Sequence, residues 1–220
     1  MEEKVYFTEK EIQKAINFAD SIKWKHNSNI GGANNTKREE KDVYISILRG
    51  KLAEIAVRGY LKNKHKGTSN KITGLDFNIY KRGISDDFDL KFNKYKISIK
   101  SSKLFASCLL VESDKYTTDS NGNPTSIEGH EDGMPDFYAF VKVNIDYTKI
   151  TDSYAIICGA ISHNDFWKNK KEIPQGIYIN KENMHDLFIN NKKLNELKSK
   201  KGVPLASSNY ALHLDLLKPF

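Results

Sequence analysis

The stretch Ile84-Ser-Asp-Asp-Phe-Asp-Leu-Lys-Phe-Asn-Lys-Tyr-Lys-Ile-Ser-Ile-Lys-Ser-Ser-Lys103 decides how this chain is read. Its apolar and polar residues alternate with a period of two around Asn93-Lys94, which predicts a β-hairpin of residues 87–92 and 95–100 with a two-residue turn. In that register Phe92 faces Tyr95, Asp89 faces Ser98 and Asp87 faces Lys100. Side chains alternate along a strand, so Asp87, Asp89, Ser98 and Lys100 are expected on one face. Ile97 and Ile99 are expected on the other, turned into a core. Two carboxylates, a hydroxyl and a lysine are thereby gathered on one small surface. Carboxylate oxygens suit a hard divalent cation such as Mg²⁺. A lysine on the neighbouring strand can orient a metal-bound water or stabilise charge on a phosphate under attack. A solvated hairpin face with a cross-strand salt bridge accounts for the same pattern.

Upstream of the hairpin the period is helical. Thr8 and Glu11 form a capping box, and Ile12, Ala15, Ile16 and Ala19 follow as an apolar stripe. Residues 26–40 are polar, with Gly31-Gly32 and Asn34-Asn35, and read as a flexible loop. A second helix is expected over 42–61, where Ile47, Leu48, Leu52, Ile55, Ala56 and Tyr60 recur at three and four residues. Residues 77–80 read as a short strand.

Downstream, residues 104–111 contain a further strand. Residues 117–135 are rich in Gly, Asn, Asp, Ser and Pro and read as a loop insertion over a binding face. Residues 137–143 and 154–161 are apolar runs of buried-strand type. Ser162 is placed to cap a helix over 164–169, which also explains His163 and Asn164 without an HNH-type metal site, since no partner histidines lie at suitable spacing. A helical segment over 181–189 and a strand over 210–214 complete the order. The expected fold is α/β or α+β, with a central mixed sheet flanked by helices. Residues 1–220 read as one domain: an N-terminal helix and flexible loop over 1–41, then a core over 42–217.

Composition narrows the function classes. Lys and Arg total 35 against 28 acidic residues, a net charge of +7, yet only four of the 35 are arginine. A basic surplus points to a polyanionic partner, because lysines near phosphates release counterions. AT-rich coding explains the excess of lysine and asparagine equally well. Hydrophobic content of 39% is too high for a disordered chain. Two cysteines, Cys108 and Cys158, sit in apolar runs and exclude a disulfide scaffold and a cysteine zinc site. Trp24 and Trp167 read as core or interface residues, His130 as a solvated loop histidine, and Asp136 as a carboxylate opening a strand. There is no G-x-S-x-G elbow, Walker loop or dinucleotide fingerprint. The opening MEEKVYF lacks an apolar signal core, and the run 154–161 is too short to span a bilayer. A cytoplasmic location without membrane contact is expected.

The hairpin also resembles the Asp…(Glu/Asp)-x-Lys core of the PD-(D/E)XK nuclease superfamily, which includes most type II restriction endonucleases. Asp89 matches the Asp, and Ser98-Ile99-Lys100 matches the tripeptide. Gly50-Lys-Leu-Ala-Glu-Ile-Ala-Val57 resembles the helix that lends a glutamate, here Glu54. Pro135-Asp-Phe-Tyr-Ala-Phe-Val-Lys-Val143 resembles the central strand after the hairpin, and Ile157-Cys-Gly-Ala-Ile-Ser-His-Asn-Asp-Phe166 the next strand and its exit into a helix. Asn209-Tyr-Ala-Leu-His-Leu-Asp-Leu-Leu217 resembles the closing strand. The resemblance covers residues 51–217.

It implies a restriction-endonuclease-like core and a Mg²⁺-dependent endonuclease that cuts double-stranded DNA as a homodimer, leaving a 5′-phosphate and a 3′-hydroxyl. Asp89, Glu54 and the backbone carbonyl of Ile99 would hold the metal, and Lys100 would position the attacking water. Ser98 departs from the pattern, since it brings no charge to the acidic position. Glu54, Glu112 or Asp87 would compensate. Lys103, Asn34 and Asn35 are candidate DNA contacts. Asparagine suits adenine and arginine suits guanine, so the arginine shortage favours an A·T-rich target. A repair, recombination or phage nuclease of the same fold, and a non-catalytic DNA-binding or protein-binding relative, are the alternatives.

Overall fold

The computed structural model describes residues 2–23, 40–78, 88–113, 116–118, 120, 124–126, 134–193, 203–205 and 208–220. In chain order the elements are β1 (Glu3–Tyr6), α1 (Glu9–Lys23), α2 (Glu40–Lys64), β2 (Leu90–Phe92), β3 (Tyr95–Ser102), β4 (Cys108–Glu112), β5 (Tyr116–Thr118) and β6 (Pro124–Ser126). They continue with β7 (Phe137–Asn144), β8 (Tyr154–Ser162), α3 (His163–Asn169), β9 (Lys171–Ile173), β10 (Tyr178–Ile179), α4 (Lys181–Phe188), β11 (Val203–Pro204) and β12 (Asn209–His213). The fold is α+β, with a curled mixed sheet flanked by helices.

Local chemistry explains the helix starts. The Thr8 backbone N–H donates to Glu11 Oε2 at 2.9 Å, and the Glu11 N–H donates back to Thr8 Oγ1 at 3.3 Å. This reciprocal box satisfies donors that the first turn of α1 leaves open. Ser162 accepts from the Asp165 N–H at the start of α3, and Asn180 caps α4. Helix α2 is longer than the apolar period predicts, because its ends are polar turns: Glu40 and Asp42 open it and Lys62 and Lys64 close it, matching the helix dipole.

The main sheet has the order β1-β8-β7-β3-β2. The hairpin forms in the expected register, with Leu90 opposite Ile97 and Phe92 opposite Tyr95. Asn93 turns it with a left-handed φ of 54°, a conformation asparagine tolerates better than most residues. Strand β3 then pairs in parallel with β7, Ser98 beside Tyr138 and Ile99 beside Ala139. A parallel pair needs a long connection, and this one carries β4, β5 and β6.

Alternation along β3 and β7 divides the core into two layers. Ile97, Ile99, Ala139 and Val141 pack with Leu52, Ala53 and Ala56 of α2 and Ile12 and Ala15 of α1. Tyr138 and Phe140 face the other way and pack with Leu109, Val111, Phe166 and Leu212. Leu109, Val111 and Leu212 come from a second sheet of order β4-β12-β9.

One strand was not expected, and three expectations need correction. Strand β1 lies at the sheet edge beside β8; four residues with one half-buried position carry too little periodicity to be read. Phe77 and Asn78 are not in a strand, because Phe77 packs its ring beside α1 and α2. The span 117–135 is not wholly loop, since β5 and β6 pair antiparallel within it. The closing strand β12 ends at His213 and belongs to the second sheet, between β4 and β9.

The pairing of β7 with β8 shifts register between Phe140 and Val141, a bulge that helps curl the sheet. Gly159 lies opposite Phe140 with φ +132°. A Cβ there would stand 2.5 Å from the Lys218 carbonyl oxygen. That C-terminal backbone is held by reciprocal bonds to Ala160, at 2.8 and 2.9 Å. Gly159→Ala should therefore lower unfolding free energy by about 2–4 kcal/mol, through forced φ and displaced backbone. Urea denaturation checks this; a loss below about 0.5 kcal/mol, typical of a neutral surface change, would contradict the close approach.

Candidate active site

Asp89 precedes the first residue of β2. Its backbone N–H donates to the Ile97 carbonyl at 3.0 Å. Its carboxylate Oδ2 accepts the Ile99 N–H at 2.5 Å and reaches the Ser98 hydroxyl only at 3.5 Å. The carboxylate thus continues the hairpin ladder where β2 begins, meeting a strand-edge donor with a charged acceptor. In an extended strand one residue's N–H and C=O leave on the same side. The Ile99 carbonyl is therefore directed toward this same edge.

Glu54 arrives from α2. Its side chain is 14% exposed, and Oε2 accepts from the Lys51 ammonium at 2.6 Å. Burial pushes its carboxyl up to about 8. The negative charge of Asp89 acts in the same direction, the Lys51 ammonium opposes it through its charge and its hydrogen bond, and Asp76 adds a smaller push. The carboxylate of the hairpin therefore acts electrostatically on the carboxylate of the helix.

Two residues of this arrangement escaped the sequence reading. Lys51 is 6% exposed, and its ammonium also donates to the Asp76 carbonyl at 2.7 Å. The same ammonium lies over the rings of Phe18 and Phe77, 4.4 and 5.2 Å from their centroids. The available signal was positional. Lys51 lies three residues after Leu48 and four before Ile55, so it sits in the apolar stripe of α2. A charge on a buried stripe needs a partner, and Glu54 one turn on is that partner. Asp76 offered no signal, because it contributes a backbone oxygen.

The other expected residues are distributed as follows. Ser98 is 6% exposed and Lys100 half-buried, and alternation turns both to the face of Tyr138 and Phe140, away from α2. The expected common face is therefore only partly formed, since the Ile99 N–H holds the Asp89 carboxylate at the strand edge. Glu112 lies on the second sheet opposite Asn209, a different location from the Glu54–Asp89 pair. Lys103 is exposed just past β3, its ammonium 5.8 Å from the Phe105 ring centroid. Asp87, Asn34 and Asn35 lie outside the described residues, as do Trp24 and His130. Asp136 ties strand starts together: its carboxylate accepts the Lys96 N–H and its carbonyl the His163 N–H. Trp167 packs against Tyr116, Tyr210 and His163 in the second layer.

Among the described residues no three His, Cys, Asp or Glu side chains form a metal-holding group. Mg²⁺ needs only one or two carboxylates, with water or phosphate oxygens completing its shell. Two neighbouring carboxylates and a backbone carbonyl, all hard oxygen donors, suit that ion. Among the described residues no helix is long and apolar enough to cross a membrane. Comparisons with family models, curated proteins and solved structures found no match to this chain.

The displaced Glu54 carboxyl makes stability depend on pH. In the folded chain it stays protonated up to about pH 8, whereas unfolded it ionises near its ordinary 4.5. Its stabilising contribution is complete below that lower value and is lost as pH rises through the upper one. Urea unfolding between these limits should show stability declining with pH, by at most about 1.4 kcal/mol per pH unit from this group. Glu54→Gln should flatten that decline; an unchanged slope in the variant would assign it to other groups.

Proposed function

We propose that this protein is a Mg²⁺-dependent, site-specific endonuclease of double-stranded DNA, of the type II restriction class, built on a restriction-endonuclease-like core. The observation that carries the reading is the Asp89 carboxylate seated at the hairpin edge on the Ile99 N–H, with a nearly buried Glu54 on α2 whose ionisation its charge opposes. This pairing of a hairpin carboxylate with a helix carboxylate accords with the resemblance of the sequence to PD-(D/E)XK nucleases. The basic surplus of +7 supports a polyanionic substrate.

In this reading Asp89, Glu54 and the Ile99 carbonyl would hold the ion, which when bound would supply water activation and charge neutralisation at the phosphate. Lys100, on the other face of β3 from α2, would orient the attacking water across the strand edge that Asp89 occupies. Water oxygen bonds to phosphorus, the bond to the 3′ oxygen breaks, and that oxygen leaves with a proton, giving a 5′-phosphate and a 3′-hydroxyl. Ser98 contributes a hydroxyl beside Asp89 and no charge, so Glu54 supplies the missing carboxylate. A homodimer places one site on each strand of a palindromic target. Lys103, exposed beyond the end of β3, contacts the DNA backbone. The protein acts in the cytoplasm, where its substrate lies.

The uncharged Ser98 and the Lys51 contact on Glu54 favour a second reading, a non-catalytic DNA-binding relative. Plasmid digestion separates the two. With Mg²⁺ the wild type should yield discrete bands, and Asp89→Ala and Lys100→Ala should each slow cleavage by at least about a hundredfold. Absence of cleavage with every divalent ion tried would remove the nuclease reading. A smear would keep a nuclease and remove its site specificity. DNA binding should also weaken steeply between low and physiological salt, checked by gel shift.

A further inference from the structure

A lysine ammonium taken out of water costs several kcal/mol unless its donors are met. At Lys51 they are met by Glu54 Oε2 at 2.6 Å and the Asp76 carbonyl at 2.7 Å, with the rings of Phe18 and Phe77 around the charge. Aromatic faces attract a desolvated cation. The ammonium is therefore anchored inside the acidic site and does not reach out to solvent. Well-packed apolar residues often match a buried ion pair in stability. Packing alone thus gives no reason for a charge at this position of the α2 stripe.

Its placement gives one. Glu54, whose Oε2 the ammonium holds at 2.6 Å, is one of the two carboxylates of the proposed metal site. A tethered ammonium and a divalent ion seek the same oxygens, and the ammonium is always present. We propose that Lys51 is a built-in counter-cation of the acidic site, which holds Glu54 in place without a metal and shares it with an incoming divalent ion, weakening that ion's binding. Lys51 is a positioning residue: it acts on the ion through Glu54. The inference rests on the metal-site reading above.

Mn²⁺ binding to the full-length chain tests it, read from the electron paramagnetic resonance signal of free Mn²⁺. Measurement at about pH 8.5 limits competition by protons for Glu54. Lys51→Met removes the charge and keeps the length. It should bind Mn²⁺ at least about tenfold more tightly than the wild type, since the cation held on Glu54 Oε2 is gone. Lys51→Arg keeps the charge and should stay near the wild-type affinity. Equal or weaker binding by Lys51→Met, with binding in both proteins reduced by Asp89→Asn, would overturn the counter-cation and leave the metal site standing. No Mn²⁺ binding by either protein would overturn the site reading and the counter-cation together. If Lys51→Met does not fold, Lys51→Gln, neutral with two N–H donors for the Asp76 carbonyl and Glu54, gives the same comparison.

Discussion

Strand β3 runs eight residues, and all but its first two lie beside β7, yet β2 pairs with it over only three. At the end of that short ladder the Ile99 N–H needs an acceptor, because an unmet backbone donor in a half-buried setting costs about as much as a lost hydrogen bond. The Asp89 carboxylate supplies it. This one bond sets the direction of the candidate site, since it draws the carboxylate off the Ser98 face and into the strand edge. Parallel pairing with β7 fixes β3 on its other side and leaves it no freedom to slip.

The chemistry of the site follows from burial as much as from residue type. Glu54 would be an ordinary carboxylate on an exposed helix. Inside the layer between α2 and the sheet it resists ionisation, and Asp89 adds to that resistance. Lys51 opposes both effects without cancelling them. The result is a pair of coupled carboxylates with an internal cation, within a core that is otherwise aliphatic and aromatic. Such an arrangement is costly to build, and a functional role gives a physical reason for keeping it.

Much of the fold was legible along the chain. The hairpin register followed from Asn93-Lys94 and the period-two pattern. The capping residues Thr8 and Ser162 act through atoms one turn away, so their role is local and readable. Strands β7 and β8 announced themselves as apolar runs. The elements that escaped were those with few residues or distant partners. Strand β1 has four residues, β5 and β6 three each, and β12 takes its place only because β4 and β9 flank it.

By itself the sequence determined the hairpin, the helix that carries Glu54, and the side on which Ile97 and Ile99 are buried, because period, capping and turn chemistry act between residues close in the chain. It also nominated Asp89 and Glu54 as a pair, through likeness of pattern. Only the tertiary structure decided that the Asp89 charge acts on Glu54, that Asp89 bonds the Ile99 backbone, and that Lys51 stands beside Glu54 as its cation. Those outcomes depend on how α2 crosses β3 and on which strand edge remains open. Burial and electrostatic coupling arise from elements far apart in sequence, and no local pattern encodes them.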